Sequence, residues 1–277
     1  MGRDVYEAGH SMMSEISLRE SPGTQAAPLP AVSVVVPVLN EAGNILPLVN
    51  EIIEALSALE DFEIIYVDDG STDATPNLLA DLTKTVSELH FIRHQKRAGQ
   101  SAAVWTGVNA ASFPLIVTLD GDGQNVPANI PDLLHLYLRA SAPDGKLLVA
   151  GWRKGRKDSW RKRMSSKIAN IVRSAMLDDE TPDTGCGLKV FRRLDYLSFP
   201  AFSHMHRFLP ALMIRSGGRV ISASVAHRPR QEGISNYGVF DRLWVGISDL
   251  FGVAWLKRRR FSVEIETTTS VDQEPIE

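Results

Sequence analysis

The chain has 277 residues, 44% of them hydrophobic and 23% charged, with a formal net charge of −3. That length and apolar content suit one large α/β domain with a full core, so most of the chain is expected to fold. The single cysteine, Cys186, excludes an intrachain disulfide and favours a reducing compartment.

Residues 1–30 mix Arg, Asp, Glu, Ser, Pro and Gly without an apolar segment, which predicts a flexible tail and no secretory signal. A first strand over 31–36 is closed by Pro37. Asn40, Glu41 and Gly43 then precede Ile45, Leu48, Val49, Ile52, Ile53 and Leu56 at helical spacing. A second strand over 62–67 runs into Asp68-Asp69-Gly70-Ser71. Thr72 or Asp73 can cap the helix that carries Leu78, Leu79 and Leu82. A third strand spans 89–93, and the loop Lys96-Arg97-Ala98-Gly99-Gln100-Ser101 leads into a helix through Val104 and Val108.

A buried strand over 115–119 ends in Asp120-Gly121-Asp122-Gly123-Gln124, where the glycines let the backbone turn sharply. A helix over 130–138 and a strand over 147–150 follow. This alternation predicts a mostly parallel sheet covered by helices on both faces. Neither a Gly-x-Gly-x-x-Gly loop nor a Gly-x-x-x-x-Gly-Lys-Ser/Thr loop is present, so a nucleotide would be held by other means.

From residue 151 the alternation weakens. Residues 151–173 carry nine Lys or Arg against one acid, Asp158, which suggests an anionic partner: phosphate, membrane lipid or nucleic acid. A helix is expected over 164–176, a turn and strand over 181–192, a helix from His204, and a strand over 220–228. Residues 241–260 predict an amphipathic helix. Leu243, Ile247, Leu250, Phe251 and Ala254 share a face, followed by Trp255 and a basic run at 257–260. Such a helix can lie on an anionic membrane or pack on the core with a solvated basic end. Residues 261–277 form an acidic tail. The best apolar stretch, 243–256, is interrupted by Asp249 and falls short of the ~20 residues that a membrane span needs.

Asp120, Asp122 and the Gln124 amide are hard oxygen donors suited to Mg²⁺ or Mn²⁺. They lie beyond the carboxyl end of a strand, where open α/β sheets bind ligands. The reading is a divalent-metal site holding a nucleoside diphosphate; the alternative is an acidic turn in water. Asp68-Asp69 can equally be a helix-capping turn. His204 and His206 lack a third zinc ligand at suitable spacing and are read as structural or substrate-lining. Cys186 is read as a packed side chain.

Four motifs in series give the chain a wider resemblance: Val-Val-Val-Pro37-Val-Leu-Asn40-Glu41, Val67-Asp68-Asp69-Gly70-Ser71-Thr-Asp73, Asp120-Gly-Asp122-Gly-Gln124, and Gly233-Ile-Ser235 preceded by Arg228 and Arg230. Over residues 31–240 the chain resembles the family 2 glycosyltransferases of GT-A fold, and among them the dolichol-phosphate mannose synthase group of polyprenyl-phosphate glycosyltransferases. The resemblance implies a Rossmann-like, mostly parallel sheet in a single catalytic domain. It implies transfer of a sugar, with inversion, from a GDP- or UDP-sugar to a polyprenyl phosphate at the cytoplasmic membrane face.

By the same resemblance Pro37, Asn40, Glu41, Asp68, Asp69, Lys96, Gly99, Gln100, Asp120 and Asp122 bind the donor. Asp120, Asp122 and Gln124 hold Mg²⁺ or Mn²⁺. Arg153, Arg163, Arg228, Arg230 and Ser235 meet donor and acceptor phosphates, and Asp122, Asp183 and Arg230 are the catalytic candidates, Asp183 as a base. The implied partners are a nucleotide-sugar, a polyprenyl phosphate, an anionic membrane surface and a separate membrane protein, with no nucleic acid. The protein would be cytoplasmic and peripheral at the membrane. Asn236 stands where many relatives have lysine, and His206-Arg207-Phe208 stands where the mannose synthases tend to have an acid; both bear on the sugar more than on the reaction. A polyprenyl phosphate, with its second ionisation near ~6, is largely dianionic at neutral pH and needs cations more than a base. The alternatives are a family 2 enzyme with another glycan or lipid acceptor, and a non-catalytic binder of anionic lipid or RNA. A sugar nucleotidyltransferase would show a Gly-x-Gly-x-Arg loop after the first strand, which is absent.

Overall fold

A computed structural model describes residues 29–143, 145–153, 173, 174, 176, 177, 179, 181–229 and 239–259. The first half alternates strictly: β1 (Val32–Val38), α1 (Ala42–Leu56), β2 (Phe62–Asp68), α2 (Thr75–Leu82), β3 (Leu89–Arg93), α3 (Gln100–Ala110), β4 (Leu115–Thr118), α4 (Ile130–Ala140) and β5 (Leu147–Trp152). Then come β6 (Lys189–Arg192), α5 (Arg193–Leu197), α6 (Leu209–Arg215), β7 (Arg219–Ser224) and α7 (Val239–Arg258).

The seven strands form one sheet in the order β3-β2-β1-β4-β6-β5-β7. All pairings are parallel except the two made by β6. The strands are apolar on both faces because both faces are covered, as parallel sheets require. Val34 and Val36 face a core with Ile45, Leu48 and Ile52 of α1 and Leu134 of α4. Val35 and Ile65 face the opposite core with Val104 and Val108 of α3 and Leu212 of α6.

Antiparallel β6 departs from the simple alternation in a way that matters for the site. It is inserted between β4 and β5, with Lys189 opposite both Thr118 and Ala150. Because β6 runs backwards, its first residue lies at the edge where β1, β2, β4 and β5 end. Carboxylates from strand ends and a lysine from a strand start therefore meet at one edge.

The strand expected over 220–228 stops at Ser224; beyond it His227 forms an isolated bridge with Asn125. The helix expected from His204 is split into a short 3₁₀ turn, Met205–Arg207, and α6. Most of the helix expected over 164–176 lies outside the described residues.

The last helix corrects the sequence reading of a single apolar face. Val253 and Ala254 are buried against Leu177, Phe208 and Ala211, with Leu250 packed beside them. Ile247, Phe251 and Trp255, spaced four apart, instead form a second apolar stripe that points outward, Phe251 62% and Trp255 61% exposed. Arg259 stacks over Trp255 with its guanidinium carbon 5.8 Å from the ring centre. Among the described residues no helix is long and apolar enough to cross a membrane.

Candidate active site

The carboxyl edge of the sheet opens on a cavity of about 340 Å³. Pro37 and Glu41 from the β1 end, Asp69 from the β2 end, Gln100 at the start of α3, and Asp120 and Asp122 beyond β4 line one side. Thr184, Gly185, Gly187, Lys189, His206 and Arg207 line the other.

Asp120 sits where two strands crowd together. Gly187 packs so closely on its carboxylate that a Cβ there would overlap it, so residue 187 must be glycine for Asp120 to hold this position. The Asp120 carboxylate accepts a hydrogen bond from Gln100 Nε2 at 2.9 Å, and its amide donates to Asn125 Oδ1 at 3.2 Å. Burial, and then the neighbouring charge of Asp122, push the Asp120 carboxyl above its ordinary range. Lys189 and Arg153 partly offset this.

A surplus of negative charge in a half-buried pocket is what a divalent cation relieves. Asp120 and Asp122, both on the cavity wall, are hard oxygen donors that fit Mg²⁺ or Mn²⁺; Gln124, expected beside them, is not among the residues that line the cavity. Among the described residues no group of three His, Cys, Asp or Glu side chains is placed to hold a metal. Two carboxylates are a usual complement for Mg²⁺, which takes its remaining ligands from water and substrate phosphates.

The Asp120–Gln124 turn is clasped from a distant part of the chain. The Arg228 guanidinium donates to both Glu51 oxygens at 2.9 Å and to the Gly123 carbonyl, and the Arg228 amide donates to the Gln124 carbonyl at 3.1 Å. Arg228, expected on a phosphate, thus spends its guanidinium on positioning the turn.

Asp183, the expected base, is held by Arg153 through two side-chain bonds of 2.6 and 2.8 Å. Burial alone would raise its carboxyl, but the hydrogen bonds and charge of Arg153 win and keep it below the ordinary carboxylate range. The same pairing overcomes the burial of Arg153 and raises its guanidinium further. Such a carboxylate is a weak proton acceptor; its geometry is that of a residue orienting Arg153. Lys189, which sequence reading did not single out, is 3% exposed and donates to the Cys186 and Thr184 carbonyls. Burial lowers its ammonium below the ordinary lysine range, with Cys186, Asp120 and Asp183 pulling the other way. No helical or strand period marks it; its signal was a lysine directly ahead of the apolar pair Val190-Phe191.

The other donor candidates divide. Asn40 has a left-handed backbone (φ 56) and spends its amide oxygen on the Thr72 amide at 2.8 Å, tying two loops together. Asp68 is fully buried, accepting from the Ser71 amide and lying 3.2 Å from Arg93. Asp69 lines the cavity, but its oxygens accept from the Ala98 and Gly99 amides at 2.8 and 2.7 Å and meet His94 at 2.8 Å. Asp69 therefore fixes the loop in which Gly99 holds φ +98, a conformation that suits glycine. Lys96 is exposed and away from the cavity wall. Arg163, Arg230 and Ser235 lie outside the described residues.

His206 closes the far wall. Its Nδ1 lies 2.7 Å from Ser101 Oγ. Burial first, then the charges of Lys189 and Arg207, push its pKa down to about 3, so the ring is neutral at physiological pH.

Comparison with known proteins places this geometry in context. The model of the family described as glycosyl transferase family 2 matches residues 33–196. Dodecaprenyl-phosphate galacturonate synthase of Rhizobium johnstonii is 35% identical over 234 residues, which are 82% of this chain and 67% of that protein. Undecaprenyl-phosphate 4-deoxy-4-formamido-L-arabinose transferase of Proteus mirabilis is 34% identical over 209 residues, 74% of this chain and 62% of that protein. The chain thus spans about two thirds of the length of these curated relatives. Among solved structures, glucosyl-3-phosphoglycerate synthase from Mycobacterium tuberculosis, in complex with Mn²⁺, UDP and phosphoglyceric acid, superposes with a TM-score of 0.61. It is 19% identical, over 84% of this chain and 80% of that one. A mannosyltransferase from Pyrobaculum calidifontis in complex with GDP-Man and Mn²⁺ gives a TM-score of 0.57 at 20% identity, over 86% of this chain and 66% of that one. At these identities the solved structures speak to the GT-A fold alone.

Proposed function

The chain belongs to glycosyl transferase family 2, and from that premise we propose that it moves a sugar from a nucleoside diphosphate to a polyprenyl phosphate at the cytoplasmic membrane face. The observation that carries the reading is the meeting of Asp120 and Asp122 with Lys189 around one cavity, with the Arg153–Asp183 pair packed behind its Gly185 wall. Relatives named for dodecaprenyl and undecaprenyl phosphate substrates support the acceptor class.

Asp120 and Asp122 would hold Mg²⁺ or Mn²⁺, which when bound stabilises the charge growing on the departing diphosphate. The protein's own residues do the rest. Pro37, Glu41 and Gln100 wall the donor side, and Asp69 keeps the Gly99 loop in place behind them. Arg153, aimed by Asp183, and Lys189 supply fixed positive charge opposite the carboxylates. Their positions suit an anionic nucleophile, whose phosphate oxygen attacks the anomeric carbon while the bond to the nucleoside diphosphate breaks. A dianionic phosphate has no proton to lose, so no general base is assigned. Direct displacement inverts the anomeric centre, and anomer-resolved NMR of the product tests it; a retained configuration would end that part of the reading.

The outward stripe of Ile247, Phe251 and Trp255, with exposed Arg258 and Arg259 at its end, supports peripheral contact with an anionic membrane surface. A separate membrane protein partner is part of the same reading. The experiment is a thermal-shift screen of UDP, GDP and their sugars with and without Mn²⁺, since a bound ligand stabilises as RT ln(1 + [L]/Kd). It is followed by transfer of the stabilising donor's sugar to undecaprenyl phosphate. Stabilisation by one nucleotide only with Mn²⁺, and a prenyl-linked product, are expected; no stabilisation by any nucleotide defeats the proposal.

A further inference from the structure

Beside the carboxylate cavity lies a larger one, of about 950 Å³, between the outer face of α3 and residues 201–207. Gln100, His206 and Arg207 line both cavities and form the wall between them. The first is ringed by Asp120, Asp122 and Lys189; the second is mainly apolar, with Ala102, Trp105, Phe202 and Met205 on its wall beside the hydroxyls of Ser101, Thr106 and Ser203. Trp105 is left 42% exposed there, although burying a large aromatic ring is favourable.

His206 stands in the wall between the two cavities, 2.7 Å from Ser101 Oγ in the first turn of α3, and as a neutral ring it puts no charge into the second cavity. Arg207, exposed, is a cation that lines both cavities. The opposite rim reaches the last helix: His204 of the second cavity pairs with Asp249 at 3.0 Å, on the helix that presents Ile247 and Phe251.

We propose that the second cavity receives the first isoprene units of the prenyl phosphate acceptor, with its phosphate passing Arg207 to face Lys189 in the first. The inference rests on the acceptor reading above. An amphiphile with one anionic end and an apolar chain needs two contiguous compartments of opposite character, and these two share a wall. The volume falls in the range of about 300–1,000 Å³ common for small-molecule sites.

The test uses the full chain and farnesyl phosphate carrying a diazirine on its second isoprene unit. Photolabel within residues 98–106 and 201–207, displaced by undecaprenyl phosphate, is the expected result. Displaceable label confined to other segments overturns the cavity assignment and leaves the acceptor reading standing. No displaceable label anywhere, on protein that UDP or GDP with Mn²⁺ still stabilises, removes both. Ala102→Trp, which fills the cavity, should raise KM for undecaprenyl phosphate at least tenfold with the nucleotide-induced thermal shift unchanged. If that variant does not fold, Trp105→Ser gives the same readout by removing the aromatic wall. An unchanged KM in a folded variant also overturns the assignment.

Discussion

Strands β1 to β4 form an all-parallel block whose loops are short and locally braced, whereas β5, β6 and β7 are assembled around a strand that runs backwards. In the first block several polar residues near the edge are fixed by a neighbouring loop or helix start, Asn40 by Thr72, Asp69 by Ala98 and Gly99, Asp120 by Gln100, while Arg228 from the second half clasps the Asp120–Gln124 turn. In the second the fixing partners are cationic: Arg153 on Asp183, and Lys189 on two carbonyls beside Asp120. The contrast teaches a division of labour, with a carboxylate side suited to a metal-bound donor and a cationic side suited to an anionic acceptor.

The largest expected effect breaks the carboxylate side. Asp122→Ala should lower transfer by roughly 10²–10³-fold, the scale of losing an electrostatic contact to the departing charge. It should also abolish the Mn²⁺-dependent thermal shift with nucleotide while the unliganded melting temperature holds. Undiminished transfer would remove Asp122 from the metal site.

Lys189→Met probes the other side. It strips counter-charge from buried Asp120 and leaves the Cys186 carbonyl without its donor, so denaturant unfolding should show a loss of ~3 kcal/mol. A loss below ~1 kcal/mol would mean that the lysine is a spectator, since a buried partner removed from a charged network costs more than that.

A smaller effect sits on the wall between the cavities. The folded pKa of His206, about 3, lies below the ordinary 6.5, so the unfolded chain binds more protons between those values. The stability that His206 contributes is therefore full above pH 6.5 and is lost as pH falls towards 3. Asp183, held low by Arg153, adds a loss in the same direction below the ordinary carboxylate range. His206→Gln should flatten the fall in melting temperature between pH 6.5 and 4.5 but leave the Asp183 limb below it; an unchanged slope would mean that the ring is solvated.

The mildest variant is Phe251→Glu with Trp255→Glu. Both side chains point outward, so the melting temperature should hold while co-sedimentation with anionic liposomes is lost. Unchanged co-sedimentation would reassign the stripe to a protein partner.

The first block was largely legible in the sequence, because runs such as 32–38 and 62–68 are mostly apolar and end in polar turns, Asn40-Glu41 after the first and Asp69-Gly70-Ser71 after the second. Asp120 and Asp122 were read beyond a strand end by the same logic and Glu41 from the resemblance, and all three line the cavity. What escaped was pairing across distance. No local period reveals that β6 is inserted antiparallel, so Lys189 went unnoticed. Arg228 and Asp183 were read by residue type as phosphate ligand and base, because a bidentate partner 177 or 30 residues away is invisible to spacing. The last helix misled for a related reason: its apolar residues serve two surfaces, and only the packing of Val253 and Ala254 on Phe208 separates them.

The Glu51–Arg228 clasp also has a temporal consequence. Contacts between such remote positions form late, and a nascent chain folds from its amino terminus as it emerges. A ribosome-bound intermediate halted before residue 228 would already possess the strands and both acidic residues, yet its loop would still be unlatched. The turn that carries Asp120 and Asp122 would then gain its latch only once residue 228 had emerged and reached Glu51.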